Sequence, residues 1–151
     1  MRHHLEEEIG ELLSRYNLTL GTAESCTGGL IGSIITNMPG SSRYFIGGVI
    51  AYDNKIKTDV LKVSPETLDK HGAVSEETAV EMAKSIRDLF RADIGLSVTG
   101  IAGPEGGTKE KPVGTVYIAI SDKSDAVCKR FLFDGTRIQI KTQTAENALL
   151  M

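Results

Sequence analysis

Residues 22–29, "TAESCTGG", set one serine, one cysteine and two threonines beside a glycine pair. A short run with β-branched residues precedes them and an apolar segment follows. This predicts a strand ending at Glu24 and a helix starting near Gly28, with Ser25, Cys26 and Thr27 at the junction. Backbone N–H groups at a helix start have no intrahelical partner. They favour a phosphate or a developing oxyanion, and those of Cys26, Thr27 and Gly28 are the candidates here. The same residues also suit a helix cap with glycines that permit close packing. The stretch is not GxSxG, so it is no nucleophile elbow. By itself the stretch favours the cap over the nucleophile.

A second segment, "AYDNKIK", reads as a strand end followed by a short helix. With Asn54 as its cap, Lys57 falls in the first helical turn, where the helix dipole disfavours an ammonium. Burial would lower its pKa further, and a neutral amine is what a lysine general base requires. Tyr52 is placed to hold or relay a proton. An exposed lysine and a rim tyrosine remain open as the plainer alternative. The third segment is the polar loop "GIAGPEGGTKEKP", residues 100–112. Gly100, Gly103, Gly106 and Gly107 let backbone N–H groups approach an anion, and Thr108, Lys109 and Lys111 would add phosphate contacts. Arg137, just after "FDGT", is a further anion-binding candidate. A flexible loop and a surface charge are the alternatives. GxxxxGK[ST] is absent, as is the dinucleotide-binding glycine pattern. His3, His4 and His71 form no metal-ligand spacing, so no metal is expected.

Those three segments need elements to bring them together. Leu5, Ile9, Leu12 and Leu13 predict an opening amphipathic helix that stops at Asn17. "GGLIGSIITNM" reads as a helix, "PGSS" as a turn, and residues 44–52 as a strand whose glycine pair suggests a bulge. Ser64, Pro65 and Gly72 bracket a compact helix. Ser75 caps a longer one, with Val80, Ala83, Ile86 and Leu89 or Phe90 as its inner face. "DIGLSVTG" is a buried strand. "VGTVYIAI" and "AVCKRFLF" alternate and form a hairpin, and a last helix starts near Thr136. Strands alternating with helices, then a late hairpin, predict an α/β fold with a mixed, mainly parallel sheet. The long loop leaves the carboxyl end of a central strand, where such sheets bind ligands.

The chain has 151 residues, which suits a single domain over 1–151. Its formal net charge of -3 offers no field for nucleic acid, and no basic stripe suggests a DNA-associated role. Cys26 and Cys128 make neither a disulfide framework nor a CxxC site, so a reducing cytoplasm is expected. No apolar run has the length of a membrane span, and acidic residues interrupt the N-terminal segment where a signal core would lie. A homo-oligomer with a small-molecule substrate is expected, with neither nucleic acid nor membrane as partner.

"TAESCTGG", "PGSS", "GGVIAYDNKIK", "HGAVSEETAVEMA", "TGIAGPEGG" and "KPVGTVYIA" stand in that order from about Leu18 to Arg137. Together they resemble the CinA C-terminal domain family, whose active members are nicotinamide mononucleotide deamidases. The chain looks like the form that stands without the family's additional N-terminal domain. The resemblance implies a three-layer α/β/α sandwich. It also implies hydrolysis of the carboxamide of nicotinamide mononucleotide to nicotinic acid mononucleotide and ammonia, with no cofactor. It places the nucleophile on Ser25 and its catalytic partners on Tyr52 and Lys57. Neutral Lys57 would take the Ser25 proton directly or through Tyr52, a Ser–Lys variant of triad logic. Cys26 is read as a packed neighbour and Glu24 as a loop organiser. A non-catalytic nucleotide-binding or regulatory domain of the same fold is the alternative.

Overall fold

The computed structural model describes residues 4–151. His3, part of the metal consideration above, lies outside them. In chain order the elements are α1 (Leu5–Arg15), β1 (Leu20–Glu24), α2 (Leu30–Thr36), a 3-10 turn (Ser41–Arg43), β2 (Phe45–Ile50), α3 (Asn54–Asp59) and α4 (Pro65–His71). There follow α5 (Glu76–Phe90), β3 (Ile94–Gly100), β4 (Thr115–Ser121), β5 (Ala126–Leu132) and α6 (Arg137–Leu150).

The five strands lie in the order β2-β1-β3-β4-β5. β1 runs parallel to both β2 and β3, and the β4–β5 hairpin is added antiparallel to β3. The parallel half is thus a three-strand core and the antiparallel half follows from the hairpin, as the alternating pattern predicts. β1 is buried at all five positions, as a strand covered on both faces must be. The bulge suggested for β2 is present: its register with β1 slips between Leu20–Phe45 and Gly21–Gly47, leaving Ile46 unpaired.

Helices α1, α2 and α6 cover one face, where Leu13, Ile31, Ile35 and Ile140 join Leu96, Val98 and Ile118 in the larger core. On the other face α5 lies across the sheet, with Met82 and Ile86 packed with Leu61 and Val63. The architecture is therefore a three-layer α/β/α sandwich. Two expectations shift in detail. The inner stripe of α5 is Ala79, Met82, Ala83 and Ile86, with Phe90 packed beside it, while Leu89 is 52% exposed. A 3.6-residue period admits either rotation, and the packing of Ala79 and Ala83 under β4 decides it. β4 does not alternate as a half-exposed strand does, because helices cover both of its faces; the edge strand β5 alternates from Ala126 to Lys129 and changes phase at Arg130.

Local stop and start signals act as read. Ser75 accepts from the Thr78 N–H, and Thr136 with Gln139 closes a full capping box at α6. Pro65 opens α4 and Gly72 ends it. Asn17 adopts φ 53 just beyond α1. At α3 the cap is Asp53, whose carboxylate accepts from the Lys55 N–H at 2.7 Å, so Asn54 is the first helical residue and not the cap.

Candidate functional site

Strand order creates the site. From β1 the chain crosses to β2 on one side and then to β3 on the other, so the carboxyl ends of β1 and β3 diverge into a crevice. A cleft of about 270 Å³ opens there. Ser25 and Cys26 enter it from the end of β1, Tyr52 and Lys57 from the β2–α3 segment, and Gly100, Gly103 and Gly106 from the loop after β3. Arg137 enters from the start of α6. The Ser25 N–H donates to the Val98 carbonyl at 3.1 Å and the Ala51 N–H to the Glu24 carbonyl at 2.8 Å, which locks the three strand ends side by side.

Lys57 is 1% exposed. Its Nζ lies 3.0 Å from Ser25 Oγ and 2.7 Å from the Ala51 carbonyl, with the Tyr52 carbonyl at 3.4 Å. A neutral amine has two N–H donors and one lone pair, which matches two carbonyls and one hydroxyl proton. Burial is the largest influence on this lysine and holds its pKa below the ordinary lysine range, against the smaller opposing influences of neighbouring Cys26 and Asp53. The cause is desolvation more than the dipole invoked from sequence, since α3 has only six residues. Lys57 is neither an exposed lysine nor a loose one. Ser25 and Lys57 together have the composition of a nucleophile and its general base.

Tyr52 is 60% exposed. Its hydroxyl accepts from Arg137 Nη2 at 2.9 Å, and Arg137 Nη1 donates to the Gly103 carbonyl at 2.6 Å. Lys57 therefore reaches Ser25 directly, and the Tyr52 hydroxyl stands in a separate contact across the mouth of the cleft. Cys26 is buried, and desolvation pushes its thiol up to about 12, so it is no ready source of thiolate at neutral pH.

The glycine turn behaves differently from its sequence reading. Glu24 Oε1 accepts from Thr27 Oγ1 at 2.6 Å and from the Ile31 N–H at 2.8 Å, and its Oε2 from the Gly32 N–H at 3.0 Å. The first donors of α2 are thus consumed by a carboxylate inside the protein, as a loop organiser requires, and none is left for a phosphate. The Gly28 N–H donates to the Ser25 carbonyl at 3.1 Å, which removes it from the oxyanion candidates. Among the described residues the Cys26 and Thr27 N–H groups donate to no protein oxygen and remain open. The Thr27 side chain is turned inward to Glu24 and is 1% exposed, so only its backbone is available.

Six of the expected binding residues lie outside the cleft lining: Thr27, Gly28, Gly107, Thr108, Lys109 and Lys111. Lys111 donates to the His71 carbonyl at 2.8 Å, and its N–H meets Thr108 Oγ1 at 3.0 Å. The far half of the loop therefore folds onto α4 in place of pointing at a ligand. Gly107 is pressed against Val113, where a Cβ would come within 2.7 Å of a backbone nitrogen. Conversely, the cleft includes Asn54, Ala73, Val74, Thr99 and Glu105, which the sequence reading passed over as site residues. Asn54 lies inside "AYDNKIK", Glu105 inside "GPEGG" and Ala73–Val74 inside "HGAVSEE", so their positions in those motifs were the available signal. Thr99 Oγ1 donates to the Ala73 carbonyl at 2.7 Å and ties two walls of the cleft together. Among the described residues no group of three His, Cys, Asp or Glu side chains gathers to hold a metal, and no helix is long and apolar enough to cross a membrane.

Comparison with known proteins bears on the family and the fold. The family profile described as CinA C-terminal domain matches residues 2–151. A CinA-like protein of Desulfotalea psychrophila is 51% identical over 148 residues, covering 98% of this chain and 36% of the relative. A CinA-like protein of Thermotoga maritima is 50% identical over 145 residues, covering 96% of this chain and 35% of the relative. The chain thus spans about a third of the length of these curated relatives. The crystal structure of the competence/damage inducible protein CihA from Agrobacterium tumefaciens superposes with a TM-score of 0.95 at 40% identity, over 98% of this chain and 91% of that one.

Proposed function

This chain belongs to the CinA C-terminal domain family, and from that premise we propose that it hydrolyses the carboxamide of nicotinamide mononucleotide to nicotinic acid mononucleotide and ammonia. The observation that carries the reading is the buried 3.0 Å contact between Lys57 Nζ and Ser25 Oγ. A serine hydroxyl is a weak nucleophile until a base takes its proton. A buried lysine whose pKa is lowered by desolvation is suited to be such a base, and a module that only binds a nucleotide has no use for one.

The chemistry follows from those two residues. Ser25 Oγ attacks the carboxamide carbon while its proton passes to Lys57 Nζ. The negative charge on the former carbonyl oxygen is met by the open N–H groups of Cys26 and Thr27. The C–N bond breaks as Lys57 returns the proton to the leaving nitrogen, and ammonia departs. Water then attacks the acyl-enzyme, its proton moves through Lys57 to Ser25 Oγ, and the carboxylic acid is released. Arg137, at the mouth of the cleft, is the proposed phosphate contact; on binding, the anion competes with the Gly103 carbonyl and the Tyr52 hydroxyl for the guanidinium.

The test is ammonia release from nicotinamide mononucleotide, nicotinamide riboside and free nicotinamide, side by side. We expect turnover of the mononucleotide and a much lower kcat/KM for the riboside. No ammonia from any of the three refutes the reading, and equal kcat/KM for mononucleotide and riboside removes the phosphate role of Arg137.

A further inference from the structure

Among the described residues Tyr52 is the one aromatic side chain that lines the cleft and Glu105 the one carboxylate; the cationic side chains there are Lys57 and Arg137. Glu105 is exposed and takes part in no ion pair among the described residues, although Arg137 lines the same cleft. The Tyr52 side chain engages Arg137 through its hydroxyl, and among the described residues no aromatic ring or guanidinium stacks on its face. With Lys57 occupied by Ser25 Oγ and two backbone carbonyls, the cleft presents one cation, Arg137, and one anion, Glu105, that are not spent on each other. An exposed aromatic face lies beside them.

That charge pattern complements a ligand that is itself a zwitterion. An N-substituted pyridinium carries a permanent positive charge on its ring, and the phosphate of a mononucleotide carries the opposite charge. With the phosphate at Arg137, the ring charge is met by the Glu105 carboxylate and by the π face of Tyr52. An uncharged ring of the same shape gains neither interaction. We propose that Glu105 and Tyr52 are specificity-determining residues that make the cleft select a cationic pyridinium carboxamide over its uncharged dihydropyridine counterpart, so that the oxidised nucleotide is taken and the reduced one rejected. The proposal rests on the carboxamide-hydrolase reading and adds the charge of the ring to it.

The experiment compares equilibrium binding of nicotinamide mononucleotide and dihydronicotinamide mononucleotide to full-length Ser25→Ala protein, with ribose 5-phosphate as a ring-free reference. The oxidised nucleotide should bind about tenfold tighter or better. Glu105→Gln and Tyr52→Leu, each introduced into the Ser25→Ala background, should each narrow that ratio severalfold. Ribose 5-phosphate should bind the Glu105→Gln protein as well as its parent, which also shows that the cleft is intact. Equal binding of the two nucleotides overturns the proposal, and an unchanged ratio in either variant overturns the role given to that residue. Ammonia release by the unmodified protein is measured separately. Its absence would refute the hydrolase reading, while the binding ratio still reports on charge selection.

Discussion

Replacing Lys57 separates a general base from a simple cation. Its amine meets two carbonyls and the Ser25 hydroxyl inside a site that leaves it 1% exposed. Arginine in that position offers only donors. It could satisfy the Ala51 and Tyr52 carbonyls, but it stays protonated at any workable pH and has no lone pair for the Ser25 proton. Loss of one member of a nucleophile–base unit commonly lowers kcat by about 10⁴ to 10⁶, which is about 5–8 kcal/mol of transition-state stabilisation. Lys57→Arg should therefore fall almost as far as Lys57→Met. Lys57→Met orphans the Ala51 carbonyl, a cost of about 1–3 kcal/mol, and in return relieves the desolvation of the amine, so the protein should stay folded. Lys55→Arg and Lys62→Arg, exposed on the same segment, should be nearly silent. The assay is kcat for ammonia release at saturating nicotinamide mononucleotide, with thermal unfolding as the fold control. A folded Lys57→Arg protein with near-normal kcat would sink the general-base role.

The depressed pKa of Lys57 also sets two pH dependences. kcat/KM should rise with pH as the amine loses its proton, with a midpoint below the ordinary lysine range, and a profile that is flat from acid to alkaline pH contradicts this. Between the folded and unfolded pKa values the unfolded chain holds the extra proton, so stability rises with pH across that window and the full penalty lies below it; Lys57→Met should lose this contribution in pH-dependent denaturation. Ser25→Ala should abolish turnover while Cys26→Ala retains most of it, because the Cys26 thiol is pushed up to about 12; the reverse pattern would move the nucleophile to sulfur. Arg137→Ala should raise KM for the mononucleotide and leave the riboside almost unaffected, as steady-state kinetics on both compounds will show. Gly95→Ala should destabilise by about 1–3 kcal/mol in denaturant unfolding, since its Cβ would collide with the backbone of α5 at Ala83; an unchanged midpoint would mean that helix and sheet separate easily.

Much of this protein is decided over short stretches of chain, and those parts were legible before any coordinates. Ser75, Pro65, Gly72 and the Thr136–Gln139 pair act through neighbours three or four residues away. The β4–β5 hairpin follows from two alternating runs separated by a polar turn. The candidacies of Ser25 and Lys57 were legible too, because Ser25 directly follows a predicted strand and Lys57 sits in the short helix after another. What the sequence alone left undecided is what depends on direction and on distance along the chain. Lys57 and Ser25 are 32 residues apart, and Arg137 and Tyr52 are 85 apart. No local pattern states that the first pair meets inside the protein and the second at its rim. Nor does "TAESCTGG" reveal that Glu24 turns back to occupy the Ile31 and Gly32 N–H groups, leaving those of Cys26 and Thr27 open. Likewise, "GGTKEKP" does not reveal that Lys111 is spent on the His71 carbonyl. Backbone donors and long side chains go to whatever acceptor packing brings near them. Only the strand order β2-β1-β3, which brings three chain segments to one crevice, settles which residues share the cleft.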